Sequence, residues 1–347
     1  MKKAICFMLC AMFLALPAFA VTSAAPLSGI TAPSALLIHP SGEILFEKNP
    51  HEKRNPASVT KIMTMLLVME AIERGDLKMT DMVTGSDHSR SMGGTQIWLA
   101  AGEQMSVSDM LKCVAVGMND THFVNASGLD AEGHVTSAYD VAMMSVELMK
   151  HEVIFDFTSI WMDSVRDGKF QLASTNKMLK TYDGLNGLKT GYTSQSGYSM
   201  SASATRGPMS LIAVVLGAKT KEARTADISA MLNYGFATYT SVTPSADTPL
   251  MPIPVKMGVA PAVPCRLADS TPILIEKQAI SGIKKELSLM PFVSAPVEEG
   301  QQVGSLYVFS GEQQICEIPV IATEPVARLG FFGIWLMLLR TAAWGTK

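Results

Sequence analysis

The chain has 347 residues, 48% of them hydrophobic and 17% charged, with 28 Lys and Arg against 31 Asp and Glu for a formal net charge of −3. That length can bury one large core and a smaller second one, so two domains are expected. The near-neutral balance and scattered cations form no basic stripe, which excludes nucleic acid as an expected partner and leaves no obvious acidic polymer.

At the N-terminus, Lys2 and Lys3 precede an apolar run from Ala4 to Leu16, and Ala18-Phe19-Ala20 offers small residues for cleavage. This is the pattern of a signal peptide over residues 1–20, and the run is too short to span a bilayer. Removing it takes Cys6 and Cys10 away and leaves Cys113, Cys265 and Cys316, without a C-x-x-C pair. Neither a disulfide framework nor a cysteine zinc site is expected. Cys265 and Cys316 either pair or stay as buried thiols. His39, His51, His88, His122, His134 and His151 show no HExxH or short His-x-His spacing, so no metal or other cofactor is expected.

Two short apolar strands, Ser34–His39 and Glu43–Glu47, flank the turn signal Pro40-Ser41-Gly42. After Pro56, a helix from Ser58 to Arg74 closes at Gly75; it is apolar nearly all round and should lie buried in the domain centre. A hydrophilic stretch from Asp76 to Gly102 leads to a second helix, Ser106–Val116, stopped by Gly117. Leu188–Thr205 reads as strand, Gly207-Pro208 as a turn, Met209–Gly217 as an apolar strand and Glu222–Tyr239 as an amphipathic helix. Strands at both ends with helices between predict an α+β domain over residues 21–242, whose terminal strands share an antiparallel sheet. Prolines at 244, 249, 252, 254, 261 and 264 then punctuate short β-like runs, predicting a small all-β domain over 243–325. Within the tail, 326–347, the apolar run Leu329–Leu339 sits between Arg328 and Arg340 with Trp344 beyond. That run is too short to cross about 30 Å of hydrocarbon. It fits an amphipathic helix lying in a membrane interface.

Ser58-Val59-Thr60-Lys61 is an S-x-x-K pattern. Residues three apart at a helix start share a face, so the Lys61 amine can reach the Ser58 hydroxyl and act as its base. The helix N-terminus adds positive potential under a developing oxyanion. S-x-x-K recurs at Ser174–Lys177 and Ser281–Lys284, but only the first opens a buried helix. Lys189-Thr190-Gly191 occurs once. Its lysine and hydroxyl can grip a carboxylate, and its glycine lets a substrate backbone come close.

These motifs, together with Pro56-Ala57, Gly93-Gly94-Thr95-Gln96-Ile97-Trp98, Asn125-Ala126-Ser127-Gly128-Leu129-Asp130 and Gly187-Leu188 through Tyr192-Thr193, resemble the low-molecular-mass penicillin-binding D-Ala-D-Ala carboxypeptidases. The likeness runs from about Ala32 to the tail. It implies a β-lactamase/transpeptidase-like domain, the small β domain and a terminal anchor. It also implies Ser58 as acyl-ester nucleophile, Lys61 as general base, Lys189, Thr190 and Gly191 at the substrate, and the N–H groups of Ser58 and Tyr192 as oxyanion hole. Arg224 matches the family arginine that helps to hold the terminal carboxylate. The implied partners are peptidoglycan stem peptides, β-lactams as inhibitors and the outer face of the cytoplasmic membrane.

One family motif is missing. The S-x-N loop should follow the helix ending at Val116, where its serine and asparagine would bond the lysine, the nucleophile and the substrate amide. Here Cys113–Val116 runs straight into Gly117-Met118-Asn119-Asp120-Thr121-His122-Phe123, a stretch that the family carries several dozen residues later. Two substitutes are available in the sequence: the literal Ser174-Thr175-Asn176, and Asn119 without a serine. The expected function is D-alanine removal from stem peptides at a reduced rate, since losing such a group costs about 10²–10⁴-fold. A non-catalytic wall-binding scaffold is the alternative. A β-lactamase is the weakest reading, because no deacylating glutamate loop is evident.

Overall fold

The structure, a computed structural model, describes residues 27–91, 100–111, 121–246, 248–270 and 272–344. The leader over 1–20, the Gly93–Trp98 motif, the predicted helix end at Cys113–Val116, its stop Gly117 and the candidate Asn119 all lie outside the described residues.

In chain order the first domain contains β1 (Ser34–Ile38), β2 (Ile44–Lys48), α1 (Lys61–Glu73), β3 (Met82–Thr84), α2 (Asp87–Ser91), β4 (Gln104–Ser106), α3 (Val107–Leu111), α4 (Ala138–Met149), α5 (Phe155–Thr158), β5 (Met162–Val165), β6 (Phe170–Ala173), β7 (Leu185–Thr193), β8 (Gly197–Arg206), β9 (Met209–Ala218) and α6 (Lys221–Thr238). A five-stranded antiparallel sheet in the order β2-β1-β9-β8-β7 forms its centre. The first and last strands of the domain do lie side by side, Ser34 opposite Leu216 and Ile38 opposite Ile212.

The unbroken apolar runs of β1 and β9 are explained by burial on both faces. Leu36, Ile38, Ile212, Val214 and Leu216 point to one side, into a core with α1 and α4. Ala35, Leu37, Leu211, Ala213 and Val215 point to the other, against Ile228, Met231, Leu232 and Phe236 of α6. The period-two alternation of a strand thus feeds two cores from one sequence. Helix α6 begins where the Thr220 hydroxyl accepts the Ala223 N–H. Its buried Asp227 accepts the N–H groups of Thr31 and Ala32, fixing the entry to β1.

After α6 come β10 (Tyr239–Val242), β11 (Ile253–Lys256), β12 (Ala262–Val263), β13 (Cys265–Leu267), β14 (Ile273–Glu276), β15 (Ile283–Leu289), β16 (Val293–Ser294), β17 (Gln302–Ser310), β18 (Gln313–Ala322) and α7 (Phe331–Trp344). The strands form a four-stranded sheet β13-β18-β17-β15, a three-stranded sheet β12-β11-β16 and the pair β10-β14. Val255, Val263, Val293, Val303, Val320 and Val326 share their own core.

Several local expectations are corrected. The first helix does not begin at Ser58: a 3-10 turn, Ala57–Thr60, carries the serine, and the α-helix starts at Lys61. Nor is α1 buried all round. Ile62, Met65, Leu66 and Met69 are covered, whereas Leu67 is 54% exposed. Of Ser106 and Ser108, the two candidate caps of the second helix, Ser106 holds the position just before α3, at the end of β4. The hydrophilic stretch holds β3 and α2, and Leu188–Thr205 divides into the hairpin β7–β8, turned at Ser194–Ser196. Helix α4 had no counterpart in the sequence reading. Cys265 and Cys316 are separate, half-buried thiols: they face Ala322 and Val308 across their ladders, and burial pushes both thiols up in pKa.

Candidate active site

Ser58 is half-buried in the 3-10 turn, with Pro56, Ala57, Val59 and Thr60 buried around it. Lys61, 9% exposed, follows three residues later on the same face. Both converge on one acceptor. The Lys61 Nζ donates to the Ser127 carbonyl at 2.7 Å, and the Ser58 Oγ reaches the same oxygen at 3.5 Å. The second contact is at the limit of a hydrogen bond, so the lysine is held more firmly than the hydroxyl.

The loop that supplies this carbonyl fits the Ser58 turn closely. Gly128 has φ +83°, and a Cβ there would lie 1.9 Å from the Ala57 carbonyl oxygen and 2.7 Å from the Ser58 nitrogen. Only glycine meets both conditions. A second tie comes from His134, whose Nδ1 accepts the Val124 N–H; its Nε2 then carries the proton and donates to the buried Thr60 hydroxyl. Burial pushes the His134 pKa down, in keeping with a neutral ring. On the far side, the Thr193 hydroxyl at the end of β7 donates to the Asp130 carboxylate at 2.8 Å. The loop therefore joins the Ser58 turn to the edge strand.

Strand β7 carries Lys189, Thr190, Gly191 and Tyr192. A Cβ on Gly191 would meet the Pro56 carbonyl oxygen and the Val59 nitrogen at 3.0 Å, so the strand abuts the Ser58 turn. Tyr192 is exposed and stacks on Tyr198. Thr190 is buried and bonds the Thr175 hydroxyl at 2.6 Å. The Lys189 Nζ donates to the Thr190 carbonyl at 2.7 Å. The residue as a whole is half-buried, but its ammonium is enclosed. Desolvation, with Lys61 and Arg224 adding like-charge repulsion, pulls its pKa down to about 7. Arg224, 5% exposed, is no surface helix residue. Its Nε is buried without a hydrogen-bond partner among the described residues. Lys189 and Arg224 gathered beside Lys61, with an orphaned donor on Arg224, form a site suited to an anion.

The other S-x-x-K matches do not join this site. Ser281 and Lys284 are exposed on the β domain, and Lys177 is exposed on a 3-10 turn. Ser174-Thr175-Asn176 lies beside the K-T-G strand through Thr175. Its serine hydroxyl accepts the Asn176 N–H, and Asn176 Oδ1 accepts the Met178 N–H. Those local bonds hold the tripeptide as a support for β7. Sequence reasoning quoted the Asn125–Asp130 motif without seeing that its backbone carbonyl faces the lysine; the Asn-x-x-Gly spacing of a tight turn was the available signal. Among the described residues no group of three or more His, Cys, Asp or Glu is placed to hold a metal.

This fold and serine–lysine geometry are those of the penicillin-binding, transpeptidase-like serine acyl enzymes. More narrowly, the chain belongs to the D-alanyl-D-alanine carboxypeptidase family, whose description matches residues 20–117 and 112–220, with the penicillin-binding protein 5 C-terminal domain matching 240–328. The chain is 38% identical to D-alanyl-D-alanine carboxypeptidase DacF of Bacillus subtilis, covering 86% of this chain and 87% of the relative. It is 31% identical to DacC of Escherichia coli, with 91% of each chain covered. Among solved structures, penicillin-binding protein 5 from Haemophilus influenzae superposes with TM-score 0.73 at 25% identity, over 88% of this chain and 100% of that one. The Bacillus alignment spans 338 positions yet takes up only 86% of these 347 residues, so several dozen positions face no residue here. The family match is itself divided at residues 112–117.

Proposed function

We propose that the chain removes the terminal D-alanine from peptidoglycan stem peptides through an acyl ester on Ser58. The observation that carries this reading is the convergence of Ser58 and Lys61 on the Ser127 carbonyl, beside the cations Lys189 and Arg224. Lys61 accepts the hydroxyl proton as Ser58 Oγ attacks the penultimate carbonyl carbon. The N–H groups of Ser58 and Tyr192 stabilise the oxyanion, and Lys189, Thr190 and Arg224 hold the terminal carboxylate across Gly191. D-alanine leaves with a proton on its amine, and water then cleaves the ester. Intact-mass spectrometry after exposure to penicillin tests the nucleophile. One covalent adduct is expected, lost in Ser58→Ala and retained in Ser174→Ala and Ser281→Ala; an adduct surviving Ser58→Ala contradicts the assignment.

The non-catalytic scaffold stays as a second reading because of one observation, the divided family match at the position expected for the S-x-N loop. Leaving-group protonation and lysine orientation are the steps such a loop would serve, so a strained β-lactam should acylate Ser58 more readily than a relaxed peptide.

Action on stem peptides fits an extracytoplasmic location, which the leader-like sequence of residues 1–20 also favours. The domain plan proposed is the catalytic domain over 21–242, the β domain over 243–325 and the tail over 326–347. The tail is proposed to lie on the outer face of the membrane. Phe331 and Phe332 are 78% and 81% exposed, and Trp335, Leu336, Leu338 and Leu339 are exposed on the same helix. Among the described residues no helix is long and apolar enough to cross a membrane. Interfacial affinity grows with apolar area inserted. Deleting Leu329–Lys347 should therefore move the protein from the membrane fraction to the soluble one, and continued sedimentation with membranes would place the anchor elsewhere.

A further inference from the structure

We propose that Asn125 is a positioning residue for acylation, acting through the Ser127 carbonyl that holds Lys61. The Asn125 Oδ1 accepts four bonds from its own turn: from the Ser127 N–H at 3.2 Å, the Ser127 hydroxyl at 2.9 Å, the Gly128 N–H at 2.8 Å and the Leu129 N–H at 3.1 Å. Its Nδ2 donates back to the Leu129 carbonyl at 2.9 Å. One side chain thus satisfies every backbone N–H from residue 127 to 129 and fixes the plane of the peptide that follows Ser127. That peptide's oxygen is the one at 2.7 Å from Lys61 Nζ and 3.5 Å from Ser58 Oγ.

The turn has no strand ladder of its own to hold it. Residues 123–133 include no strand, and the nearest backbone pairing is the bridge between His122 and Val135. At Gly128 the turn lies directly against Ala57 and Ser58, so the 127–128 peptide sits at close quarters with the serine it faces. Without the asparagine oxygen, the N–H groups turn toward water and the Ser127 carbonyl loses its aim. Asn125 touches neither Ser58 nor Lys61 in any of these contacts. Its effect is on direction: the carbonyl takes one N–H of Lys61 and so fixes how the amine is turned relative to the serine hydroxyl. Misplacing a reacting group by about 1 Å costs on the order of 10²-fold.

The inference rests on the acyl-serine reading, and its test separates the two. Saturation kinetics of penicillin acylation are measured for the full chain, for Asn125→Ala and for Asn125→Asp, which keeps the acceptor oxygen. Asn125→Ala should lower the limiting acylation rate about tenfold or more while leaving the pre-covalent dissociation constant within about twofold. Asn125→Asp should recover most of that loss. A limiting rate within about twofold of the parent in Asn125→Ala, or equal losses in both variants, overturns the proposal. Crystal structures of the parent and Asn125→Ala read the same geometry without turnover. The Lys61–Ser127 bond should be present in the first and lost in the second. If the bond persists in Asn125→Ala, the proposal fails whatever the kinetics. If the parent does not acylate but the bond depends on Asn125, the acyl-serine reading fails and the positioning role stands.

Discussion

The two walls of the cleft differ sharply in how completely they are built. On the K-T-G side, β7 is hydrogen-bonded along its length to β8, and Thr175 and Asp130 anchor Thr190 and Thr193. Behind it Arg224 sits buried in α6. After α3 the family match is divided, at residues 112–117, and the next described residue is Thr121. Helix α1 carries an apolar residue outside its covered stripe: Ile62, Met65, Leu66 and Met69 are buried, but Leu67 is 54% exposed. A helix with that composition suits cover on every side. The side proposed to bind the carboxylate is thus the one described continuously in the structure, and the family match divides on the side proposed to handle the proton.

The largest effect that sharpens this contrast is in stability. Ile62→Ala should cost about 2–5 kcal/mol, because Ile62 is fully buried between α1 and the sheet. Leu67→Ala should cost less than about 1 kcal/mol, since its side chain already meets water. Chemical denaturation of both variants measures the difference. Equal costs would mean that the outer face of α1 is covered and the contrast between the walls is false.

A smaller effect concerns pH on the complete wall. The Lys189 pKa lies at about 7, so the ammonium carries its charge below that pH and loses it above. Affinity for a peptide ending in a carboxylate should be flat below about pH 7 and then weaken, by up to about tenfold per unit, as pH rises. Lys189→Arg, which does not deprotonate, should flatten the profile. A parent profile that stays flat from pH 6 to 9 would show that Lys189 does not hold the carboxylate.

The sequence carried the plan of this site better than its fit. Ser58, Lys61 and Lys189 were legible because their chemistry needs particular residue types at short spacing. That the terminal strands share one antiparallel sheet was legible from strands at both ends with helices between, and β1 does pair with β9. The 3-10 start at Ala57 was not, since it depends on Gly128 and Gly191 pressing on that turn from distant positions. Splitting of Leu188–Thr205 was hidden because Ser194-Gln195-Ser196 turns through side-chain bonds between Thr193 and Ser196. The Ser127 acceptor was invisible for a simpler reason: it is a backbone atom, and no residue type announces it.

The central claim is that this chain keeps a working nucleophile and carboxylate wall while lacking the loop that serves the leaving amine. It is tested most directly by measuring the penicillin acylation rate beside D-alanine release from a D-Ala-D-Ala peptide. Both are measured in this chain and in one with a family S-x-N segment inserted after Val116. The account predicts detectable acylation with slow peptide turnover in the chain as it stands, and a rise in turnover of about 10²-fold or more on insertion. High peptide turnover that insertion does not raise would contradict it.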